Sequence, residues 1–191
     1  MSGENSTERI NKIQEMEKTG LFFGPEKGAV HRVAEKIRAV AGAAHLDLIP
    51  VAGAGAADME RYQKLIFGIS TVGKETWDQE LANTGWSRFF PEIGKIDYRN
   101  RVVAIFGLGD HLTYPGHFVN AMGMLAKEIL KACPDARIVG QVDPSGYEFE
   151  ESEAIIGGKF VGLPLDEDFE PELTDKRIAD WISHIRDEFG F

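Results

Sequence analysis

The stretch VVAIFGLGDHLTYPGHFVNAMG, residues 102–123, decides the fold because it joins a buried strand to a helix through a glycine-containing loop. Its apolar, branched start is typical of a strand that is covered on both faces. Helical spacing follows at once and predicts an amphipathic helix, in which the apolar positions are Phe118, Ala121, Met122, Leu125 and Ile129. A strand, a loop and a helix in succession form the repeating unit of parallel α/β folds.

Four more apolar runs alternate with helical patterns along the chain. Together with Arg101–Gly107, the predicted strands are Gly20–Gly24, His45–Val51, Lys64–Ser70 and Arg137–Val142. Because strands joined by helices run parallel through right-handed crossovers, this alternation predicts an α/β fold with a doubly wound, five-stranded parallel sheet. A last helix is predicted over Thr174–Glu188, with Thr174 as its N-cap.

The chain is long enough for one well-buried domain and short for two, with 191 residues of which 43% are hydrophobic. We expect that domain to cover residues 19–191. Residues 1–18 form an N-terminal extension whose pattern permits a short helix. Residues 143–172 do not fit a minimal sheet and predict extra extended structure that interrupts the last strand.

The composition disfavours several classes of partner. A formal charge of −10, from 31 acidic and 21 basic residues, disfavours nucleic acid and anionic membranes and favours a basic protein surface. Acidic runs at 148–153 and 166–172 are most simply solvated faces. Cys133 is the only cysteine, which excludes an internal disulfide and fits a reducing compartment. The first twenty residues lack an apolar signal core, so we expect a cytoplasmic protein.

An enzymatic function is not favoured by the histidines near the predicted loops. His111 and His117 have no serine or cysteine nucleophile beside them, and a loop histidine is more often a surface residue than a general base. No metal-ligand spacing appears either, so neither a catalytic nor a metal site is predicted.

Three loops are expected to meet at the carboxyl edge of the sheet, where open parallel sheets bind ligands. They are Pro25–Val30, Ser70–Trp77 and Gly107–Pro115. The first enters a helix, and a helix N-terminus favours an anion because its free N–H groups and dipole point outward. The three loops therefore predict a ligand site.

The chain resembles the long-chain flavodoxins from about Thr19 to Phe191. The most specific stretches are residues 102–123 and the late block SGYEFEESEAIIGGKFVGLPLDEDFEPELTDKRIADWISHIRDEFG, residues 145–190. The resemblance implies the sheet order 2-1-3-4-5, an insertion in the last strand, FMN as the cofactor, and one-electron transfer between larger redox enzymes.

The same resemblance implies roles for individual residues. Tyr114 matches the aromatic that stacks on the outer face of the flavin ring, and Val72 matches the apolar residue on the inner face. Gly73 matches a glycine whose peptide can turn its carbonyl toward the flavin. The remaining expected contacts to the cofactor come from the same loops and are Thr71, Trp77, Gly109, which lets the backbone approach closely, and Asp110, near the pyrimidine end.

The phosphate loop departs from the family pattern of hydroxyl-x-hydroxyl-glycine-x-hydroxyl. This chain keeps Gly28, followed by Ala29, and places Pro25, Lys27 and Val30 at the hydroxyl positions. Each lost hydrogen bond to an ionised phosphate costs roughly 1.5–3 kcal/mol. Three losses together span about three to six powers of ten in affinity, at about 1.4 kcal/mol per tenfold. Lys27 would return part of this, whereas Glu26 would oppose it.

The ring site departs too, since Thr113 replaces a glycine and His117 replaces a polar amide. Three hypotheses follow. The first is a one-electron carrier that holds FMN through Tyr114, the Val72–Gly73 loop and a lysine-modified phosphate site. The second is a protein of the same fold that has lost FMN and acts as a partner-binding or regulatory module. The third is another ligand, such as a dephosphorylated flavin. A carrier would be a monomer that docks on the basic surface of a redox partner.

Overall fold

A parallel β-sheet forms the centre of this computed structural model, which describes residues 18–71 and 85–191. The strands are β1 (Thr19–Phe23), β2 (Leu46–Pro50), β3 (Lys64–Ser70), β4 (Val102–Leu108), β5 (Arg137–Val139), β6 (Ile155–Ile156), β7 (Lys159–Phe160) and β8 (Leu163–Leu165). The main sheet follows the order β2-β1-β3-β4-β5, and each neighbouring pair is parallel. The predicted α/β fold with this order is confirmed.

The last strand of the sheet is divided in two. The first half of β4 pairs with β5, from Val102 opposite Arg137, whereas its second half pairs with β8, from Phe106 opposite Leu163. The antiparallel hairpin of β6 and β7 lies in the segment between them. The predicted insertion in the last strand is therefore confirmed, and β5 is shorter than the apolar run suggested.

Helices cover both faces of the sheet. They are α1 (Ala29–Ala41), α2 (Ala56–Glu60), α3 (Trp86–Ile93), α4 (Asn120–Ala132) and α5 (Pro171–Phe189). Successive strand residues point to opposite faces, so Leu21 packs in the core beneath α1 and α5 while Phe22 packs in the core beneath α3 and α4. Two apolar cores thus hold the strand ends, and the loops that leave them, in fixed places.

The start of α5 differs from the prediction. The helix begins at Pro171, with Glu170 as its N-cap, one turn before the predicted N-cap at Thr174. Proline suits the first turn because it lacks the N–H that would have no helical partner there, and its φ is already helical. Thr174 is buried within the helix, and its hydroxyl donates a hydrogen bond to the Glu167 carboxylate.

The N-terminal extension lies outside the described residues apart from its last position. The Lys18 ammonium lies 2.8 Å from a carboxylate oxygen of Asp47, in β2. The predicted short helix therefore stays a prediction, as does the division at residue 18.

Candidate functional site

A cavity of about 240 Å³ lies at the carboxyl edge of the sheet. It is bounded by the ends of β3 and β4, the loops that follow β4 and β8, and the first residue of α1. The lining residues are Ala29, Ser70, Thr71, Leu108, Gly109, Asp110, Tyr114, Glu167 and Asp168. The fold thus brings together five of the predicted cofactor contacts: Ala29, Thr71, Gly109, Asp110 and Tyr114.

Tyr114 is held at this cavity by a tight turn. One carboxylate oxygen of Asp110 accepts hydrogen bonds from the backbone N–H groups of Leu112, at 3.1 Å, and Thr113, at 2.6 Å. The Tyr114 N–H donates to the Asp110 carbonyl at 3.2 Å. An aspartate that caps its own turn in this way fixes the loop locally. Asp110 therefore positions the aromatic ring as well as placing a charge at the cavity.

Packing requires a glycine at position 109, and its predicted contact with the cofactor stays a prediction. A Cβ atom at this position would lie 2.7 Å from the backbone nitrogen of Val119 and 3.1 Å from the Phe118 ring. Its own N–H donates to the Leu165 carbonyl at 3.0 Å. The start of α4 therefore requires glycine here, a reason that the sequence did not disclose.

Thr71 joins the end of β3 to the start of α4. Its N–H donates to the Leu108 carbonyl at 2.8 Å, and its hydroxyl oxygen accepts the Ala121 N–H at 2.9 Å. The hydroxyl thus supports the cavity wall. Three predicted contacts on the loop that follows, Val72, Gly73 and Trp77, lie outside the described residues and stay predictions.

The N-terminus of α1 has the features of an anion site. Its N-cap is Gly28, with extended backbone, and within the described residues no side chain caps it; the first turn contains no acid. Lys27 has a left-handed φ of 63°, and its N–H donates to Nδ1 of His31 at 3.2 Å. This hydrogen bond orders the loop although the hydroxyl side chains of the family pattern are absent. It was not predicted, and the only indication in the sequence was a histidine four residues after Lys27.

Val30 does not present its side chain to this loop. It is 1% exposed and packs in the core beneath α1 with Val33 and Ala34. Only its backbone N–H is available to an anion. Lys27, Gly28 and Val30 do not line the cavity, but Ala29, the first helical residue, does. The cavity and the N-terminus of α1 therefore meet at Ala29.

His117 lies apart from the cavity that Tyr114 lines. It is exposed, its Nδ1 is 3.2 Å from the side-chain nitrogen of Asn120, and it lines a separate groove of about 600 Å³. Glu150 and Glu151 line the same groove, and both of their N–H groups donate to the Pro115 carbonyl. Backbone hydrogen bonds therefore connect one wall of the groove to Pro115, the residue that follows Tyr114.

His111 and Asp166 form a buried pair, which corrects two expectations. His111 was expected at the surface but is 7% exposed, and Asp166 was counted in a solvated acidic run but is 0% exposed. The Asp166 carboxylate lies 2.5 Å from Nδ1 of His111 and accepts that residue's N–H at 3.0 Å. Its other oxygen accepts the N–H groups of Asp168 and Phe169. These donors come from two separate loops, so the sequence around Asp166 alone could not indicate that its carboxylate is buried.

Burial works to raise the pKa of Asp166, but the donors from His111, Phe169 and Asp168 outweigh it and hold that pKa below its ordinary value. A carboxyl whose folded pKa is lowered stabilises the fold above its unfolded pKa, and the stabilisation is lost as the pH falls through the folded pKa.

We therefore expect Asp166→Asn to lower the free energy of unfolding at pH 7 by about 2 kcal/mol, since an amide leaves buried donors unpaired. The difference in unfolding free energy between the variant and the wild type should decrease below about pH 4. Urea unfolding at several pH values measures it. The exposed Asp187→Asn is the matched control, and a gap that does not change with pH would contradict the assignment.

Residues 18–71 and 85–191 contain neither a cluster of metal-ligating side chains nor a helix that could cross a membrane. No group of three or more histidine, cysteine, aspartate or glutamate side chains there could hold a metal ion. Among those same residues, no helix has the length and apolar character needed to span a membrane.

Comparison with known proteins gives one consistent result. The flavodoxin family model matches residues 21–181. A flavodoxin of Nostoc sp. (strain PCC 7120) is 37% identical over 173 residues, covering 91% of this chain and 98% of that protein. Flavodoxin 1 of Escherichia coli (strain K12) is 36% identical and covers 89% and 93%. The crystal structure of a Fusobacterium nucleatum flavodoxin bound to flavin mononucleotide has a TM-score of 0.78 and 28% identity, and covers 90% and 98%.

Proposed function

The chain belongs to the flavodoxin family, whose members are electron-transfer proteins rather than enzymes, and we propose that it carries single electrons on an FMN held at the carboxyl edge of its sheet. One observation supports this site above others. Ala29, at the start of α1, lines the same cavity as Asp110 and Tyr114. A ring-binding cavity that opens on a helix N-terminus matches a flavin that carries a phosphate.

The residues present fit both ends of the cofactor. Tyr114 would stack on the ring, and Asp110 and Thr71 hold the walls of the ring cavity. The phosphate would be bound by the N–H groups at the start of α1, from Gly28 onward, with Lys27 as the nearby cation. Val72, Gly73 and Trp77 complete the proposed ring site.

FMN, when bound, supplies the centre that accepts and releases single electrons. Acidic residues would lie beside that centre and oppose the added electron. Three carboxylates line the cavity, from Asp110, Glu167 and Asp168, and no basic side chain is among the described residues that line it. Acids at short range disfavour added negative charge by about 1 to 4 kcal/mol per pair at 4 Å, depending on solvent exposure. These side chains therefore favour release of the electron and a low reduction potential.

The first test separates the two ends of the site. We expect Lys27→Ala to weaken FMN binding about tenfold, because an exposed cation makes a modest charge-assisted contact, and to leave riboflavin binding unchanged. Fluorescence quenching titrations measure both affinities. The matched control is Lys36→Ala, within α1, where the ammonium already pairs with Asp175 at 2.7 Å.

The wild-type protein decides between the carrier and its alternative. A carrier purified without denaturation should show the visible absorbance of bound flavin, or gain it when FMN is added. A wild-type protein that takes up neither FMN nor riboflavin would contradict the carrier and support the partner-binding module. Uptake of riboflavin alone would support the dephosphorylated ligand.

The partner is proposed to present a basic surface, and the net charge of −10 supports this. Because Asp166 is buried, the docking acids are assigned instead to the exposed pair Glu150 and Glu151, next to the loop of Tyr114. A monomer located in the cytoplasm belongs to the same proposal, and the single cysteine supports that location.

Electron transfer to cytochrome c, a basic haem protein, is expected to slow as salt reduces the Debye length from about 10 Å to about 3 Å. Neutralising Glu150 and Glu151 to glutamine should slow it severalfold at low salt and leave FMN binding intact. Stopped-flow absorbance measures the rate. A rate that changes neither with salt nor with the two substitutions would mean that Glu150 and Glu151 are solvated surface residues with no role in docking.

A further inference from the structure

We propose that His111 is a positioning residue for the flavin ring: through Asp166 it joins two loops that line the cavity, and ring binding depends on this junction. The inference rests on the proposed function. The first loop is residues 109–114, which provides Asp110 and Tyr114, and the second is residues 166–169, which provides Glu167 and Asp168. We call them the tyrosine loop and the acidic loop.

The Asp166 carboxylate is shared evenly between the two loops. One oxygen faces the tyrosine loop, where it accepts the His111 N–H at 3.0 Å and lies 2.5 Å from Nδ1. The other faces the acidic loop, where it accepts the N–H groups of Asp168 and Phe169, both at 2.9 Å. All four neighbours are donors if Nδ1 bears the imidazole proton, which the adjoining carboxylate favours.

The imidazole also connects the two sides through apolar contacts. Its ring lies 6.0 Å from the Phe118 ring, before α4, and 6.4 Å from the Phe169 ring, in the acidic loop. Its side chain is 8% exposed, whereas Phe169 is 48% exposed. The imidazole therefore lies at the margin of the core, close to the cavity. Its loss would loosen the two loops more than it would destabilise the sheet.

The other anchors of the acidic loop do not reach the tyrosine loop through side chains. The Glu167 carboxylate accepts the Thr174 hydroxyl, which fixes the acidic loop to α5. The Asp110 carboxylate is occupied within its own turn. His111 thus provides the side-chain link between the two walls among these residues. Without the imidazole, Asp166 keeps the backbone N–H of residue 111 and Gly109 keeps its bond to Leu165, but the shorter of the two contacts from Asp166 to the tyrosine loop is lost. A rigid ring would then bind a less organised site.

Two substitutions separate the polar link from the filled volume. His111→Asn keeps an N–H donor at the position of Nδ1, whereas His111→Leu keeps apolar volume and removes the side-chain donor. We expect His111→Leu to weaken riboflavin and FMN equally, by about tenfold, and His111→Asn to stay within about threefold of wild type. Fluorescence quenching gives the affinities. An equal loss for both flavins distinguishes this effect from the phosphate loop.

Amide hydrogen exchange in the flavin-free protein provides a readout that does not need the cofactor. In His111→Leu the N–H groups of Asp168 and Phe169 should exchange at least tenfold faster, with little change at Ile66 in β3, whereas in His111→Asn they should exchange at nearly the wild-type rate. Unchanged exchange in the acidic loop, or riboflavin affinity that both variants keep or lose alike, would overturn the proposal. If the wild type binds no flavin, the proposed function fails, and the exchange result alone decides whether His111 joins the loops.

Discussion

Replacing Tyr114 with alanine is expected to weaken FMN and riboflavin alike, by about 5- to 150-fold. Stacking of an aromatic side chain on a heterocyclic ring contributes about 1–3 kcal/mol when measured by alanine substitution. At about 1.4 kcal/mol per tenfold, this gives the expected range. Tyr114 is half-buried on the cavity, so its ring is available for that contact.

The control for this substitution is Tyr114→Phe, which keeps the aromatic ring and should stay within about threefold of wild type. Fluorescence quenching with each flavin measures the affinities, and thermal unfolding of the flavin-free proteins shows whether the loop survives. If Tyr114→Ala weakened FMN but left riboflavin unchanged, the tyrosine would act on the phosphate end, and the ring site would have to lie elsewhere.

The largest expected loss of stability comes from Gly162→Ala. A Cβ atom at Gly162 would lie 1.9 Å from the Ile105 carbonyl oxygen and 2.8 Å from its carbonyl carbon. These atoms belong to β4, an inner strand that pairs with β3, β5 and β8, and cannot move without breaking strand pairs. The insertion would instead have to separate from β4, which takes β8 and the buried Asp166 with it. We expect a loss of more than about 3 kcal/mol.

Gly146→Ala is the matched control because a Cβ atom there would meet nothing within 4 Å. Urea unfolding of both variants measures the free energies. Flavin affinity should fall with Gly162→Ala as well, since β8 leads directly into the acidic loop. A Gly162→Ala protein with wild-type stability would mean that β8 does not lie against β4.

The inner strands β1, β3 and β4 could be predicted from the sequence because each is buried on both faces and therefore reads as a continuous apolar run. Lys64–Ser70 was predicted to the residue. The start of α5 was misplaced because a threonine followed by polar residues resembles an N-cap, although Pro171 was a stronger signal for the first turn.

The chemistry of the site was harder to predict because it depends on contacts between distant residues. Asp166 sits in the run Asp166–Asp168, and nothing in that run separates a buried acid from its solvated neighbours. Its partner, His111, lies 55 positions away. Likewise, Val30 was placed on the phosphate loop by alignment of a motif, whereas the helix turns its side chain into the core. Local patterns locate loops, but only the fold assigns each side chain to a face.

The strand order has a further consequence for how copies of this chain behave at high concentration. An outer strand with free N–H groups is a template for sheet growth, and proline interrupts it because proline lacks that hydrogen. Pro50 lies in β2, at one outer edge, and Pro164 lies in β8, at the other, where its carbonyl also accepts the Tyr147 hydroxyl at 3.1 Å. The β2 edge and the β8 half of the opposite edge therefore resist edge-to-edge joining, which should disfavour fibrillar aggregates in a concentrated solution.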